Sequence, residues 1–365
     1  MASPKKLVFL LRNIAGGGAE KVVLNLYKAM ELYAGYECHI ISLERVAGHA
    51  IDPEIRVHYL DDKNSMRKQG LQRYTYRNVI VKIIDDYIDK AIGKDCAVIS
   101  NLMFCDKIMS LSRHRVFHLI HNSYTESLLG GKPFYRRFFL IRNYNKVYSR
   151  HPMVFCSQAA LDSFCRSFTS DVAKHVIYNP VNEAEVRALA DAESADLEYD
   201  YIVHVGRFNR QKRHDRLLKA FAKVRADVRL LLLGEGRLEA DIRSLAEKLG
   251  IAGRVVFMGF RQNPYPVIKN AKALVLTSDF EGLPTVIIEA ISLGVPVVAT
   301  DCPSGIDEII DRPSPAFVPL DDIDGIAAAV DDAVVHPEKY TRPLHPKFSS
   351  QFAARQYAAL LEQTS

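Results

Sequence analysis

Four charged side chains, one histidine and a glycine turn stand where this 365-residue sequence could handle a phosphate or a sugar. Glu281 and Glu289 lie in TSDFEGLPTVIIEAISLGVPVVAT, residues 277–300, with seven residues between them. Glu289 sits among Ile287, Ile288, Ala290 and Ile291, where a carboxylate is costly to bury unless it is paired. Glu281 precedes a helix start, whose free N–H groups and positive dipole end suit a phosphate. Arg207 and Lys212 flank the loop after VGRF, and two cations so placed can hold one diphosphate. His121 follows RVFHLI and opens the polar turn His121-Asn122-Ser123. Gly16, Gly17 and Gly18 follow the apolar run Leu7–Leu11, a turn that brings backbone N–H groups close to a phosphate. The bland alternatives are a solvated loop acid, a structural helix acid, a core histidine and a tight structural turn. The residue types alone leave these open.

The elements that must position these groups alternate. Short β-branched or apolar runs predict strands at Leu7–Leu11, His39–Leu43, Arg56–Leu60, Ala97–Ser100, Arg115–Ile120, Val154–Cys156 and Val176–Tyr178. Helical periodicity covers Ala19–Leu32 and Val79–Ile92, and Ser157 is a candidate cap for SQAALDSF. A second series starts at Tyr201, with strands ending in Gly206-Arg207-Phe208, Gly234-Glu235-Gly236 and Gly259-Phe260-Arg261. The strand Ala273–Leu276 leads into residues 277–300. There Pro284 suits the first helical position, Gly294 the helix end, and Val295–Ala299 a covered strand. Strand–helix alternation means an α/β chain with doubly wound parallel sheets, where ligands bind beyond the carboxyl ends of strands. Two such domains are expected, residues 1–182 and 183–347, facing a cleft, with Glu183–Tyr199 as linker and helix. The dinucleotide pattern GxGxxG fails, because Lys21 stands at its last position.

Composition is that of a soluble globular protein, 48% hydrophobic and 25% charged. Charge is uneven: residues 1–182 carry 26 Lys and Arg against 16 Asp and Glu, and the remainder 22 against 27. Residues 63–82 and 132–150 hold six basic side chains each and no acid. The second segment adds Phe134, Tyr135, Phe138, Phe139, Leu140, Tyr144 and Tyr148, a mixture that suits an anionic membrane interface. Nucleic acid, and a solvated helix face whose aromatics belong to the core, are the weaker alternatives. Six scattered cysteines without a CxxC pair fit a reducing compartment. No stretch approaches the roughly 20 apolar residues of a membrane span. A cytoplasmic protein, peripheral on the inner face of the membrane, is expected.

In order along the chain, GGGAEKV, the His121 strand end, YNPV at 178–181, VGRF followed by QKRHD, and FEGLPTVIIEA resemble glycosyltransferase family 4. That family contains retaining enzymes of the GT-B fold, many of which build bacterial surface polysaccharide and lipopolysaccharide. The resemblance implies that Arg207 and Lys212 neutralise the donor diphosphate. It assigns Glu289 to the ribose hydroxyls and Glu281 and His121 to the donor sugar. Gly282, Leu283, Pro284 and Thr285 form the turn near sugar and phosphate, and Gly206 belongs to the same strand end as Arg207. Gly17 and Gly18 match the loop that closes on the diphosphate, and Phe260 and Arg261 lie where the base is seated. The last helix, about 348–365, is expected to return to the N-terminal domain.

The implied reaction moves a hexose or N-acetylhexosamine from a nucleotide sugar, UDP-linked by preference, to a hydroxyl of a lipid-linked or lipopolysaccharide-type glycan. No carboxylate is placed for a covalent intermediate, which favours front-face attack. No metal or other cofactor is implied. Asp322-Ile323-Asp324 spells DxD but lies in an acidic segment remote from any phosphate loop. A sugar-nucleotide epimerase of related fold and a non-catalytic nucleotide-sugar binder are the alternatives, and no nucleic-acid partner is expected.

Overall fold

The structure is a computed structural model that describes residues 4–14, 16–46, 51–60, 76–195 and 197–363. Two compact units result, one of residues 1–180 with 347–365, the other of residues 181–346.

Unit 1 has strands β1 (Lys6–Leu11), β2 (Glu37–Ser42), β3 (Val57–Tyr59), β4 (Cys96–Asn101), β5 (Arg115–Ile120), β6 (Met153–Phe155) and β7 (Lys174–Val176). They pair in parallel in the order β3-β2-β1-β4-β5-β6-β7. β1 and β4 are central and covered on both faces, which is why their sequences are apolar without alternation. The helices between strands are α1 (Gly18–Ala34), α2 (Tyr76–Ala91), α3 (Leu102–Met109), α4 (Phe134–Val147) and α5 (Gln158–Cys165). Ser157 caps α5, its hydroxyl accepting from Ala160 N–H at 3.0 Å.

Unit 2 has strands β8 (Tyr201–Val205), β9 (Arg229–Leu233), β10 (Val255–Gly259), β11 (Ala273–Leu276), β12 (Val297–Thr300) and β13 (Phe317–Val318). Their parallel order is β10-β9-β8-β11-β12-β13. Its helices are α6 (Glu183–Asp191), α7 (His214–Phe221), α8 (Glu239–Lys248), α9 (Tyr265–Lys269), α10 (Thr285–Ser292), α11 (Ile306–Ile309) and α12 (Ile323–Val335). The acidic stretch expected to be linker and helix contains α6, capped by Asn182 and packed on α9 and α10. The last helix, α13 (Ser350–Gln363), packs along α1, with Ala353, Ala354, Tyr357, Leu360 and Leu361 in the core of unit 1.

Several local readings change. Residues 63–75 of the first basic segment lie outside the described residues. Arg77, from the same segment, is half-buried and donates to the Lys107 carbonyl and to Ser110 Oγ. In the second segment Phe134, Tyr135, Phe138 and Phe139 are exposed, Phe134 by 86%, whereas Tyr144 and Tyr148 are core residues. Tyr148 donates to the buried Asp106 at 2.8 Å, which explains an aromatic with a polar tip at that depth. No helix of the described residues is long and apolar enough to cross a membrane.

Candidate functional site

In unit 2 two loops at the carboxyl ends of β8 and β11 are laced together. The first carries Gly206 to Arg213 and the second Thr277 to Pro284. Asp279 N–H donates to the Gln211 carbonyl at 2.9 Å, and Gln211 Nε2 donates to the Phe280 carbonyl at 2.8 Å. Thr277 Oγ1 donates to the Lys212 carbonyl at 3.1 Å. Beneath them, the buried Arg216 donates to the Thr277 carbonyl at 2.8 Å and pairs with Asp279 at 2.9 Å. The loop that carries the lysine therefore cannot move without the loop that carries the glutamate.

Lys212 Nζ stands 2.7 Å from Glu281 Oε1. Ser278 Oγ donates to the same oxygen at 2.6 Å, and Gln211 Nε2 reaches Oε2 at 3.3 Å. Glu281 is 8% exposed, so the solvated-acid reading is excluded. Asn209 Oδ1 accepts from Lys212 N–H at 3.1 Å, fixing the short turn that points the lysine inward. Gly206 lies directly under the Lys212 stem: a Cβ there would stand 3.1 Å from Lys212 Cε. Gly234 is held still closer, because a Cβ on it would meet the Gly206 carbonyl oxygen at 2.2 Å. Arg207 is exposed and, among the described residues, makes no ion pair or hydrogen bond through its guanidinium.

Residues 282–285 form the entry to α10. Gly282 accepts from Gly305 N–H at 2.9 Å, Leu283 is buried, and Pro284 is the N-cap residue, one position before the helix rather than inside it. Gly294, at φ 74°, ends the helix, and Val295 N–H closes back on the Ala290 carbonyl at 2.9 Å. Glu289 is buried at 5% exposure, and Tyr265 OH donates to its Oε1 at 3.3 Å. Phe260 is 42% exposed, and its N–H donates to Glu235 Oε1 at 3.3 Å. Arg261 is exposed beside it.

In unit 1, His121 follows β5 and its Nε2 is hydrogen-bonded to Asn101 Oδ1. Burial lowers the imidazole to about 4, so the ring is neutral near pH 7. Gly17 is the N-cap residue of α1 and Gly18 its first residue. Neither needs left-handed backbone; that demand falls on Gly16, at φ 94°. A Cβ on Gly17 would meet Glu20 Oε2 at 2.2 Å, so the Glu20 carboxylate lies against this glycine, whereas a Cβ on Gly18 would meet nothing within 4 Å.

Asp322 and Asp324 have structural partners. Asp322 caps α12, accepting from Gly325 N–H at 2.8 Å, and Asp324 pairs with Lys223 at 2.6 Å. Among the described residues no three His, Cys, Asp or Glu side chains are grouped to hold a metal ion. Sequence reasoning missed Ser278, Gln211, Asn101 and Glu235. Ser278 alone had a signal, a hydroxyl three residues before Glu281 just beyond the end of an apolar strand.

Residues 187–343 match the family described as glycosyl transferases group 1. Over 310 residues the chain is 24% identical to N-acetylgalactosamine-N,N'-diacetylbacillosaminyl-diphospho-undecaprenol 4-alpha-N-acetylgalactosaminyltransferase of Campylobacter jejuni, covering 84% of this chain and 83% of that one. It is 33% identical to the lipopolysaccharide 1,6-galactosyltransferase of Escherichia coli over 140 residues, 37% of this chain and 39% of that one. The Anabaena protein HepE, solved with UDP and glucose, superposes with a TM-score of 0.70 at 17% identity, covering 99% of this chain and 98% of that one. With the two parallel sheets, these likenesses define the class: the chain is a glycosyltransferase of the GT-B fold. Within that class it is related to the bacterial lipopolysaccharide and capsule glycosyltransferases, as the family 4 motifs lead one to expect.

Proposed function

We propose that the protein is a retaining, nucleotide-sugar-dependent glycosyltransferase that takes a UDP-hexose or UDP-N-acetylhexosamine. The observation that supports this best is the Lys212–Glu281 pair, 2.7 Å apart, on two interlocked loops beside the start of α10. A lysine has three N–H donors, so Lys212 can keep Glu281 and still reach a phosphate oxygen. When the bond from the anomeric carbon to the β-phosphate oxygen breaks, its electron pair stays on the phosphate. Lys212, the unengaged Arg207 and the N–H groups at Thr285 and Val286 then face the charge that develops. The acceptor hydroxyl attacks from the face the phosphate leaves, its proton passes to the departing phosphate oxygen, and the configuration is kept.

Family likeness assigns Glu289 to the ribose, Phe260 and Arg261 to the base, and His121 and Glu281 to the sugar. Gly206 stands at the end of β8, and Gly282, Leu283, Pro284 and Thr285 at the entry to α10. Gly17 and Gly18 belong to the diphosphate loop of unit 1. None of these roles calls for a metal. The acceptor is a lipid-linked glycan, in keeping with the undecaprenol-linked and lipopolysaccharide substrates named for the relatives. The exposed aromatics of α4, interleaved with Arg136, Arg137 and Arg142, support docking on the anionic inner face of the cytoplasmic membrane.

A thermal-shift screen with UDP-, GDP- and ADP-sugars tests the donor. A UDP-sugar is expected to raise the melting temperature most, and a larger shift with GDP- or ADP-sugars would refute the base assignment. The anomeric configuration of the product tests retention, and a trapped glycosyl-enzyme would refute front-face attack.

A further inference from the structure

Asn101 holds the N-cap position of α3, where an asparagine side chain ordinarily accepts from the first free N–H groups of the helix. Here it makes no capping bond. The next residue, Leu102, has φ 66°, a left-handed conformation that costs a residue with a Cβ about 1–2 kcal/mol. A forfeited cap beside a strained residue is unfavourable on stability grounds alone, and such strain collects at functional positions.

The Asn101 side chain, fully buried, is turned instead to His121, with Oδ1 on Nε2. A carbonyl oxygen only accepts, so Nε2 carries the proton and Nδ1 is a bare lone pair. His121 Nδ1 is buried with no hydrogen-bond partner among the described residues, and so is Asn101 Nδ2. One acceptor and one donor, on two side chains already bonded to each other, thus stand desolvated at the carboxyl edge of the sheet. Leaving such groups unpaired costs about 1–3 kcal/mol each. With Nε2 on Asn101, the Nδ1 lone pair points to the far side of the ring, where a hydroxyl can donate to it without reaching Asn101 Nδ2.

We propose that Asn101 is a positioning residue that fixes His121 as the Nε2-protonated tautomer, so that Nδ1 is the acceptor for a hydroxyl of the transferred sugar. This rests on the assignment of His121 to the sugar. It adds a requirement that assignment lacks: the imidazole must be an acceptor, and its tautomer is set from β4.

The tautomer is read directly from long-range proton–nitrogen spectra of protein labelled with nitrogen-15 at histidine, with His121→Gln locating the signal. In the wild type a protonated Nε2 and a bare Nδ1 are expected. A protonated Nδ1 would overturn the proposal, since the asparagine amide would then be turned the other way. Asn101→Leu, which keeps the volume, is expected to mix the tautomers, and an unchanged wild-type signal would deny the positioning role. Calorimetric titration with UDP, UDP-galactose and UDP-N-acetylgalactosamine supplies the second readout. Asn101→Leu and Asn101→Ala are expected to weaken whichever UDP-sugar the wild type binds about 5- to 10-fold while leaving UDP affinity as it was. Equal loss for UDP and the sugar nucleotide would mark a merely structural residue. If the wild type binds no UDP-sugar, the donor assignment fails by itself, whatever tautomer the spectra show.

Discussion

Lys212 Nζ and Glu281 Oε1 are 2.7 Å apart, and their side chains are only 17% and 10% exposed. A near-buried pair of this kind has two separable consequences. Removing one partner strands a charge, at about 3–5 kcal/mol, whereas replacing both by neutral groups is often close to neutral. Lys212→Ala is therefore expected to lower the melting temperature as well as slow turnover by roughly 10²-fold or more. The double variant Lys212→Met with Glu281→Gln is expected to regain most of the thermal stability and none of the rate. Calorimetric melting and steady-state kinetics on both variants check this. A double variant that regains rate would remove Lys212 from the chemistry.

Glu289 has a different environment and a different expected signature. Its carboxylate is buried beside Tyr265 OH, a donor that an amide oxygen of the same shape can also accept from. Glu289→Gln is expected to fold normally and to weaken UDP binding by about tenfold or more, because charge-assisted hydrogen bonds to the ribose are lost. Titration with UDP and with 2'-deoxy-UDP gives the comparison: the variant is expected to close the gap between the two ligands. A gap as wide as in the wild type would take Glu289 off the ribose.

The alternation of strands and helices was legible because buried parallel strands are short apolar runs, and β8 to β12 read that way directly. The carboxyl-end residues Arg207, Lys212, Glu281 and Glu289 were legible because charge in apolar surroundings is costly and therefore noticeable. What holds them was not. Gln211 acts through side-chain bonds to a loop some 70 residues away in the chain, and no periodicity encodes a partner at that separation. Asn101 was hidden for a related reason: an asparagine before a helix reads as a cap, and only the turned side chain shows otherwise. The aromatic segment 132–150 misled in the opposite direction. Phe134 to Phe138 and Tyr144 to Tyr148 share a spacing of four residues, yet this segment exposes its first turns and buries its last.

Buried His151 and His214 and half-buried His121 predict how stability responds to acid. Burial pushes His121, His151 and His214 each down to about 4, with the Lys212 cation also acting on His214. In the unfolded chain they return to the ordinary value near 6.5. Between those values the unfolded state binds protons that the folded state refuses, so the stabilisation is full above pH 6.5 and is lost as pH falls toward 4. Each histidine contributes a slope of up to about 1.4 kcal/mol per pH unit in that window. Denaturant melts at pH 7 and pH 5 are expected to show the difference, and His151→Phe to reduce the slope by one proton. A slope unchanged in that variant would mean His151 is protonated in the folded protein.

The two aspartates of the DxD sequence are committed to α12, which separates a metal requirement from a structural one. Asp322→Ala removes the cap on Gly325 N–H and is expected to cost about 1 kcal/mol of stability while the turnover rate stays as it was. Excess chelator is expected to leave activity undiminished. Complete loss in chelator, restored by a divalent cation, would overturn the metal-free reading. Loss of rate in Asp322→Ala without loss of stability would place that aspartate in the chemistry.

The exposed aromatics of α4 can be separated from its charges. Phe134 and Phe139 are 86% and 67% exposed, and neither supports the core, so Phe134→Ser with Phe139→Ser is expected to leave the melting temperature unaltered. If these rings enter the interface, losing them is expected to weaken binding to vesicles containing anionic lipid by tenfold or more, since each buried ring contributes about 1.5–3 kcal/mol. Raising the salt is expected to weaken the wild type further by screening Arg136, Arg137 and Arg142. Transfer to a short water-soluble acceptor analogue is expected to proceed at the wild-type rate in the double variant, because the change touches docking and leaves the donor site alone. Sedimentation with vesicles that is equal for wild type and variant would return α4 to the status of a solvated helix.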